Sequence, residues 1–289
     1  MNIRIIPRLD IKGPNLVKGI HLEGLRVLGK PWDFAYRYYK EGADELIYID
    51  AVASLYGRNN LLEIVKKTAE NIFIPLTVGG GIRSLDDIKN LLRAGADKVA
   101  VNTGAIHNPD LIKKGALAFG SQCIVSYIEA KHINGRYEAM TDNGREVTGK
   151  NVFDWAKQVV DLGAGEILLT SIDNEGTGLG YDLELIKAIA EEVPVQVIAS
   201  GGCGKTEHII EASKIGKADA VSASSIFHYN YLDRILKIDE FSEEGNIEFI
   251  KQNRGGLGFM KDRISRLSIQ DVKQTLAASG IKCRVNWSN

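Results

Sequence analysis

IPLTVGGGIRS (74–84), carried on by AGADKVAVNTGAI (94–106), is the stretch whose reading decides the fold, because the other half of the chain repeats its pattern. The second copy is PVQVIASGGCGK (194–205) followed by KADAVSASSIFH (217–228). Gly80 and Gly81 match Gly201 and Gly202, while Asn102 and Thr103 match Ser224 and Ser225. Each copy is an apolar strand, a glycine turn, a helix, and a further strand ending in small hydroxyl or amide side chains. Glycines after a buried strand let the backbone approach an anion, and the next helix start offers it unpaired N–H groups. In one copy alone the glycines would read as strand terminators. A matched pair predicts two phosphate sites and an architecture of repeated half-units.

Outward from these copies, short apolar runs alternate with amphipathic stretches, the pattern of parallel strands joined by crossover helices. Eight strands are expected, at 3–10, 45–50, 75–78, 98–101, 123–129, 166–171, 195–200 and 219–223. ADELIYID (43–50) resembles AGEILLTS (164–171), and IIPRLD (5–10) resembles VSYIE (125–129), so the repeat extends to all quarters. The fold class predicted is α/β, a (β/α)8 TIM barrel of two half-barrel repeats spanning 1–289 as one domain. A length of 289 residues suits it, since such barrels take about 250. One segment breaks the rhythm. Residues 229–267 are expected to form an insertion in the last connection, functional, disordered or an oligomer contact.

Hydrophobic residues at 44% and charged residues at 25% are ordinary for a globular protein, and a formal net charge of -1 gives no global signal for nucleic acid or membrane. Cys123, Cys203 and Cys283 show no pairing or metal-ligand rhythm, which predicts a reduced, cytoplasmic setting. No signal peptide or membrane span is readable. The five histidines form no HExxH pattern, and neither GxSxG nor GxGxxG occurs in a suitable context. Metalloprotease, serine-hydrolase and dinucleotide chemistry are disfavoured, and no metal or cofactor is expected.

At the carboxyl-terminal ends of the strands, where barrel enzymes keep their chemistry, Asp10 ends strand one and Glu129 ends strand five. Opposed carboxyls suit general acid and base work if their environments separate their pKa values. Alternatively, Asp10 pairs with a neighbour such as Lys12 or Lys18. Asp50 and the loop 171–182 share this face, with Gly176 and Thr177 as donors to a phosphate and Lys18 as a nearby cation. Asp173 and Glu175 read equally well as turn formers. At the opposite end Arg4, Glu45, Lys98 and Glu166 converge near strand starts. Their charges predict a ring of ion pairs that plugs the barrel or gates a small molecule.

IIPRLDIK, GADELIYID, IPLTVGGGIRS, LLRAGADKV, FGSQCIV, GAGEILLTS, GYDLELI, VIASGG and SIFH together resemble the cyclase subunit family of imidazole glycerol phosphate synthase, over almost the whole barrel. That resemblance implies a glutaminase subunit docked at the amino-terminal face, with ammonia passing a gate of Arg4, Glu45, Lys98 and Glu166. It implies a bisphosphorylated aminoimidazole ribulosyl nucleotide as substrate and a lyase and cyclisation reaction giving imidazole glycerol phosphate. Asp10 and Glu129 fall on the catalytic carboxyls. Gly81, Asn102 and Thr103 fall on one phosphate site, and Gly176, Gly202, Ser224 and Ser225 on the other, with Lys18, Asp50 and Glu175 as further binding residues.

The chain departs from the family pattern at three places. The family has aspartates where Glu129 and Glu175 stand, and a cysteine where Arg8 stands. A retained gate beneath an altered chemical face also fits a paralogue that channels ammonia for amidation of a surface-polysaccharide sugar. A third possibility is a non-catalytic subunit that binds a phosphorylated ligand and activates the glutaminase.

Overall fold

The computed structural model describes residues 2–53, 61–235 and 262–285. Its strands, in chain order, are β1 (Arg4–Lys12), β2 (Asn15–Ile20), β3 (Glu23–Gly29), β4 (Leu46–Asp50), β5 (Leu76–Gly79), β6 (Lys98–Val101), β7 (Ile124–Ile133), β8 (Arg136–Thr141), β9 (Glu146–Asn151), β10 (Glu166–Ser171), β11 (Gln196–Ser200) and β12 (Ala220–Ala223). Eight of them pair in parallel as a closed ring, β1-β4-β5-β6-β7-β10-β11-β12 and back to β1. This is the (β/α)8 TIM barrel expected from the sequence.

Strands buried on both faces read as near-continuous apolar runs, and these do. The alternation survives in where each side chain points. Along β1, Ile5, Leu9 and Ile11 pack outward into the layer shared with the helices. Ile6 instead joins Ile47, Ala100, Val125, Leu168, Ile198 and Ala220 in a separate cluster that fills the lumen. Adding two residues at a time from Ile6 puts Arg4, Arg8 and Asp10 on the same inward face.

The half-barrel repeat is visible in the backbone. Leu76 N donates to Asp97 Oδ2 at 2.8 Å in the first half, and Val197 N donates to Asp219 Oδ2 at 3.0 Å in the second. Each glycine pair turns left-handed, at φ 109° and 70° for Gly80 and Gly81, and at 95° and 101° for Gly201 and Gly202. After the first turn a capping box of Ser84 and Asp87 starts the helix Leu85–Ala94.

Four strands lie outside the ring. β2 and β3 form a hairpin on the end of β1, and β8 and β9 extend β7 beyond the barrel. Both hairpins belong to the carboxyl-terminal face, and they meet there: Leu22, Met140 and Ile172 form a small apolar cluster, and Asn143 Nδ2 donates to the Leu22 carbonyl at 2.9 Å.

Of the expected insertion, residues 236–261 lie outside the described residues. Before them the helix Ser225–Ile235 follows β12, and after them residues 262–267 run along the barrel rim, with Ser265 N donating to Gly204 O at 2.7 Å. The helix Ile269–Ala278 then packs between Thr206–Lys214 and Pro31–Glu41, completing the outer ring. No helix among the described residues is long and apolar enough to cross a membrane.

A Cβ added to Gly202 would lie 1.9 Å from the Gly180 carbonyl oxygen at a φ of 101°, whereas one added to Gly24, also left-handed, meets nothing within 4 Å. G202A should therefore lose about 1–3 kcal/mol of stability through backbone strain and forced displacement, clearly more than G24A. Denaturant unfolding of the two variants beside the parent chain measures the difference.

Candidate active site

Asp10 on β1 and Glu129 on β7 stand on opposite sides of the ring, each where its strand runs on past the barrel into a hairpin rather than ending as expected, and both are buried, at 4% and 2% exposure. Their surroundings differ. Glu129 Oε2 accepts from Asn102 Nδ2 at 3.0 Å and from Gly144 N at 2.9 Å, both neutral donors. Burial pushes this carboxyl up to about 7, against the lowering pull of Tyr127, Arg8 and the Gly144 amide. Asp10 instead pairs directly with a cation, Arg8 Nε donating to its Oδ1 at 2.8 Å. The neighbours Lys12 and Lys18, considered from sequence, are not its partners in this pair.

Beside Glu129 opens a cavity of about 240 Å³ whose lining includes Asp50, Gly81, Asn102, Thr103 and Asn143. It brings together the first glycine pair and the amide and hydroxyl that follow β6, as the repeat implied. Burial also raises the Asp50 carboxyl, partly offset by the backbone N–H groups of Val52 and Ala53. The second half forms the counterpart, a much tighter cleft of about 10 Å³ lined by Glu175, Gly176, Gly202, Ser224, Ser225 and their neighbours. Ser224 Oγ is committed to the Arg8 carbonyl, donating at 2.8 Å.

The first hairpin supplies the cation of this cleft. Lys18 is buried and ion-paired with Glu175. Burial alone would raise the Glu175 carboxyl, but Lys18 and Arg8 outweigh it and hold it below its ordinary value. Glu175 is thus an ion-pair partner as well as a turn residue. Asp173 does satisfy backbone, though not its own turn: its Oδ2 accepts from His132 N at 2.8 Å, tying the second hairpin to the loop after β10.

At the other end the four charges close into a ring. Arg4 bonds Glu45 at 2.5 Å and Glu166 at 2.7 Å, and Lys98 bonds the same two carboxylates at 3.1 and 2.7 Å. Two bidentate acids alternating with two cations satisfy each charge from two sides, so the floor is shut by electrostatics rather than packing. Above it stands the apolar lumen.

Several site residues escaped the sequence reading. Tyr127 lines the large cavity and lies beneath the Arg8 guanidinium, 5.4 Å from ring centroid to cation. Gly144 and Asn143 reach the mouth only because β7 continues into a hairpin. The signal for that was present: Asn134 and Gly135 adopt φ of 50° and 82°, the left-handed pair that an Asn-Gly hairpin turn requires. Among the described residues no group of three His, Cys, Asp or Glu side chains has metal-binding geometry.

Two glycine-bearing clefts, two buried carboxyls and a floor of four paired charges on one (β/α)8 barrel define the class of protein: a barrel with its candidate chemistry at the carboxyl-terminal face. The chain belongs to the histidine biosynthesis protein family, whose model matches residues 4–233. It is similar to the imidazole glycerol phosphate synthase subunit HisF of Legionella pneumophila, at 67% identity over 207 residues, 71% of this chain and 98% of that protein.

Glu129 has a folded-state value near 7 against 4.5 when unperturbed. The folded protein then holds its proton more tightly than the unfolded chain, so the associated stability is full below about 4.5 and is lost as pH rises through 7. E129Q should gain stability relative to the parent chain across that window and level off above it. Parallel thermal unfolding of both proteins between these pH values would show no divergence if the carboxyl were already ionised throughout.

Proposed function

We propose that the chain is the cyclase subunit of an imidazole glycerol phosphate synthase. It takes ammonia and a bisphosphorylated aminoimidazole ribulosyl nucleotide, cleaves the nucleotide and closes the imidazole ring. One observation supports this reading: Glu129 lines the first glycine-bearing cleft, and Asp10 is joined to the second through Arg8, which bonds both Asp10 and the cleft residue Ser200. A ligand with a phosphate at each end, seated in both, lies across the two carboxyls.

In this reading the Asp10 carboxylate, paired with Arg8, is the group that takes a proton from the ligand. Glu129, titrating near 7, is suited to giving one back and collecting it again, since a catalytic group works best near the operating pH. Gly81, Asn102 and Thr103 hold one phosphate with Asp50 beside them. Gly176, Gly202, Ser224 and Ser225 hold the other, with Lys18 released from Glu175 toward it. A partner glutaminase docks against the amino-terminal face, and its ammonia enters where Arg4, Glu45, Lys98 and Glu166 now close the floor. The apolar layer of the lumen around Ile6 suits passage of a neutral amine rather than an ion, as far as the Arg8 layer beneath the mouth.

A second reading keeps the ammonia path and changes the acceptor to a sugar destined for a surface polysaccharide. The tightness of the second cleft, where Glu175 and Lys18 meet beside Gly176, favours it. The two readings part on one assay. With the bisphosphorylated nucleotide and an ammonium salt, and no partner present, the cyclase reading expects imidazole glycerol phosphate, and D10N should lower its rate by about 100-fold or more. No product under these conditions would overturn it.

The floor makes a separate prediction. K98M removes one of the two cations that hold Glu45 and Glu166. Glutamine-driven turnover in the complex should fall severalfold while turnover on free ammonium salt, which reaches the mouth from bulk solvent, stays near the parent rate. Equal losses in the two assays would argue against passage through the floor.

A further inference from the structure

Arg8 is among the largest fully buried side chains of the molecule, at 1% exposure, and it lies inside the lumen one layer below the mouth. Its guanidinium spans the barrel. From β1, Nε donates to Asp10 Oδ1 at 2.8 Å, and Nη1 donates to Thr170 Oγ1 on β10 at 3.1 Å and to Ser200 Oγ on β11 at 3.4 Å. Its Cζ lies 5.4 Å from the ring centroid of Tyr127, on β7 across the ring. Four strands therefore fix the position of one cation, and among the described residues its one direct carboxylate partner is Asp10. Among the described residues, Nη2 is buried without a hydrogen-bond partner.

Stability does not account for this arrangement. Bringing two charges out of water costs several kcal/mol per ion, and replacing such a pair by apolar groups of similar volume is often neutral or favourable. An orphaned N–H adds to the deficit. What the pair does supply is geometry. Asp10 Oδ1 is held from a braced cation, while Oδ2 has no hydrogen bond among the described residues. The other charged and titratable groups around the pair are Lys18, Glu175, Tyr127 and Glu129, and none of these forms an ion pair with Asp10.

We propose that Arg8 is a positioning residue for the reaction: braced by Thr170, Ser200 and Tyr127, it pins Asp10 through Oδ1 and leaves Oδ2 to meet the ligand. This rests on the cyclase reading given above. Without the brace the aspartate side chain is free to rotate, and a misplacement of about 1 Å costs on the order of 100-fold in rate. Arg8 acts through Asp10 and need not touch the ligand itself.

The test is a double-mutant cycle on ammonium-driven cyclisation, together with a readout that needs no turnover. R8M should lower kcat by about 100-fold with KM for the nucleotide within about threefold. In a D10N background the same substitution should cost nothing further, and guanidinium ion added to R8A should restore part of kcat. The paired variant T170A/S200A keeps the charge but loosens its far end. It should give an intermediate loss, and it preserves the test should R8M fail to fold. Equal losses from R8M in both backgrounds, or a change confined to KM, would overturn the proposal. The turnover-independent readout is the carboxyl carbon resonance of Asp10, identified by its loss in D10N. It should shift in R8A and return with guanidinium; an unmoved resonance means that Arg8 does not hold Asp10. If the parent chain shows no cyclisation while the resonance behaves as expected, the reaction assignment fails and the brace stands.

Discussion

The parity of β1 is the constraint from which the rest follows. Its side chains alternate between the lumen and the helix layer, so Arg4, Ile6, Arg8 and Asp10 rise in single file up the inside of the barrel. They contribute in turn to the charged floor, the apolar lumen, the brace and the mouth. A register slip of one residue would send all four outward and bring Ile5, Leu9 and Ile11 inside. Pairing with β12 on one side and β4 on the other excludes that slip, and both neighbours are themselves fixed by ring closure.

Much of this was legible beforehand because the repeat constrains it. The eight barrel strands fall within a few residues of their expected places, since each is an apolar run bounded by turn residues. The floor quartet is readable because strand starts all lie at one end of a parallel barrel. Glycine pairs followed by a helix marked where the two clefts lie for a similar reason. The hairpins were less visible. NLVKGIHLEGLRV alternates only loosely, and its turn uses His21 and Leu22 at φ of 51° and 64° rather than glycine or asparagine. Its importance lies in what it delivers, namely Lys18 against Glu175.

The partner of Asp10 illustrates the limit of reading from the chain. Lys12 and Lys18 are neighbours in sequence, as Arg8 is, but Lys12 is exposed beyond the mouth and Lys18 is engaged elsewhere. Inward direction and the reach across to Thr170 and Ser200 decide the pairing, and both depend on strands far away in the chain. The raised carboxyl of Glu129 is likewise a product of enclosure. Nothing in VSYIE announces that Asn102 and Gly144 will converge on it while water is kept away.

The two glycine-bearing clefts follow the same sequence pattern, but their volumes, about 240 and 10 Å³, are far apart. Perfect internal symmetry would leave a ligand bearing similar groups at its ends free to lie either way round, with half of all encounters unproductive. Divergence between the halves gives the molecule a sense of head and tail. For the ligand proposed above, unequal clefts would settle which end enters which.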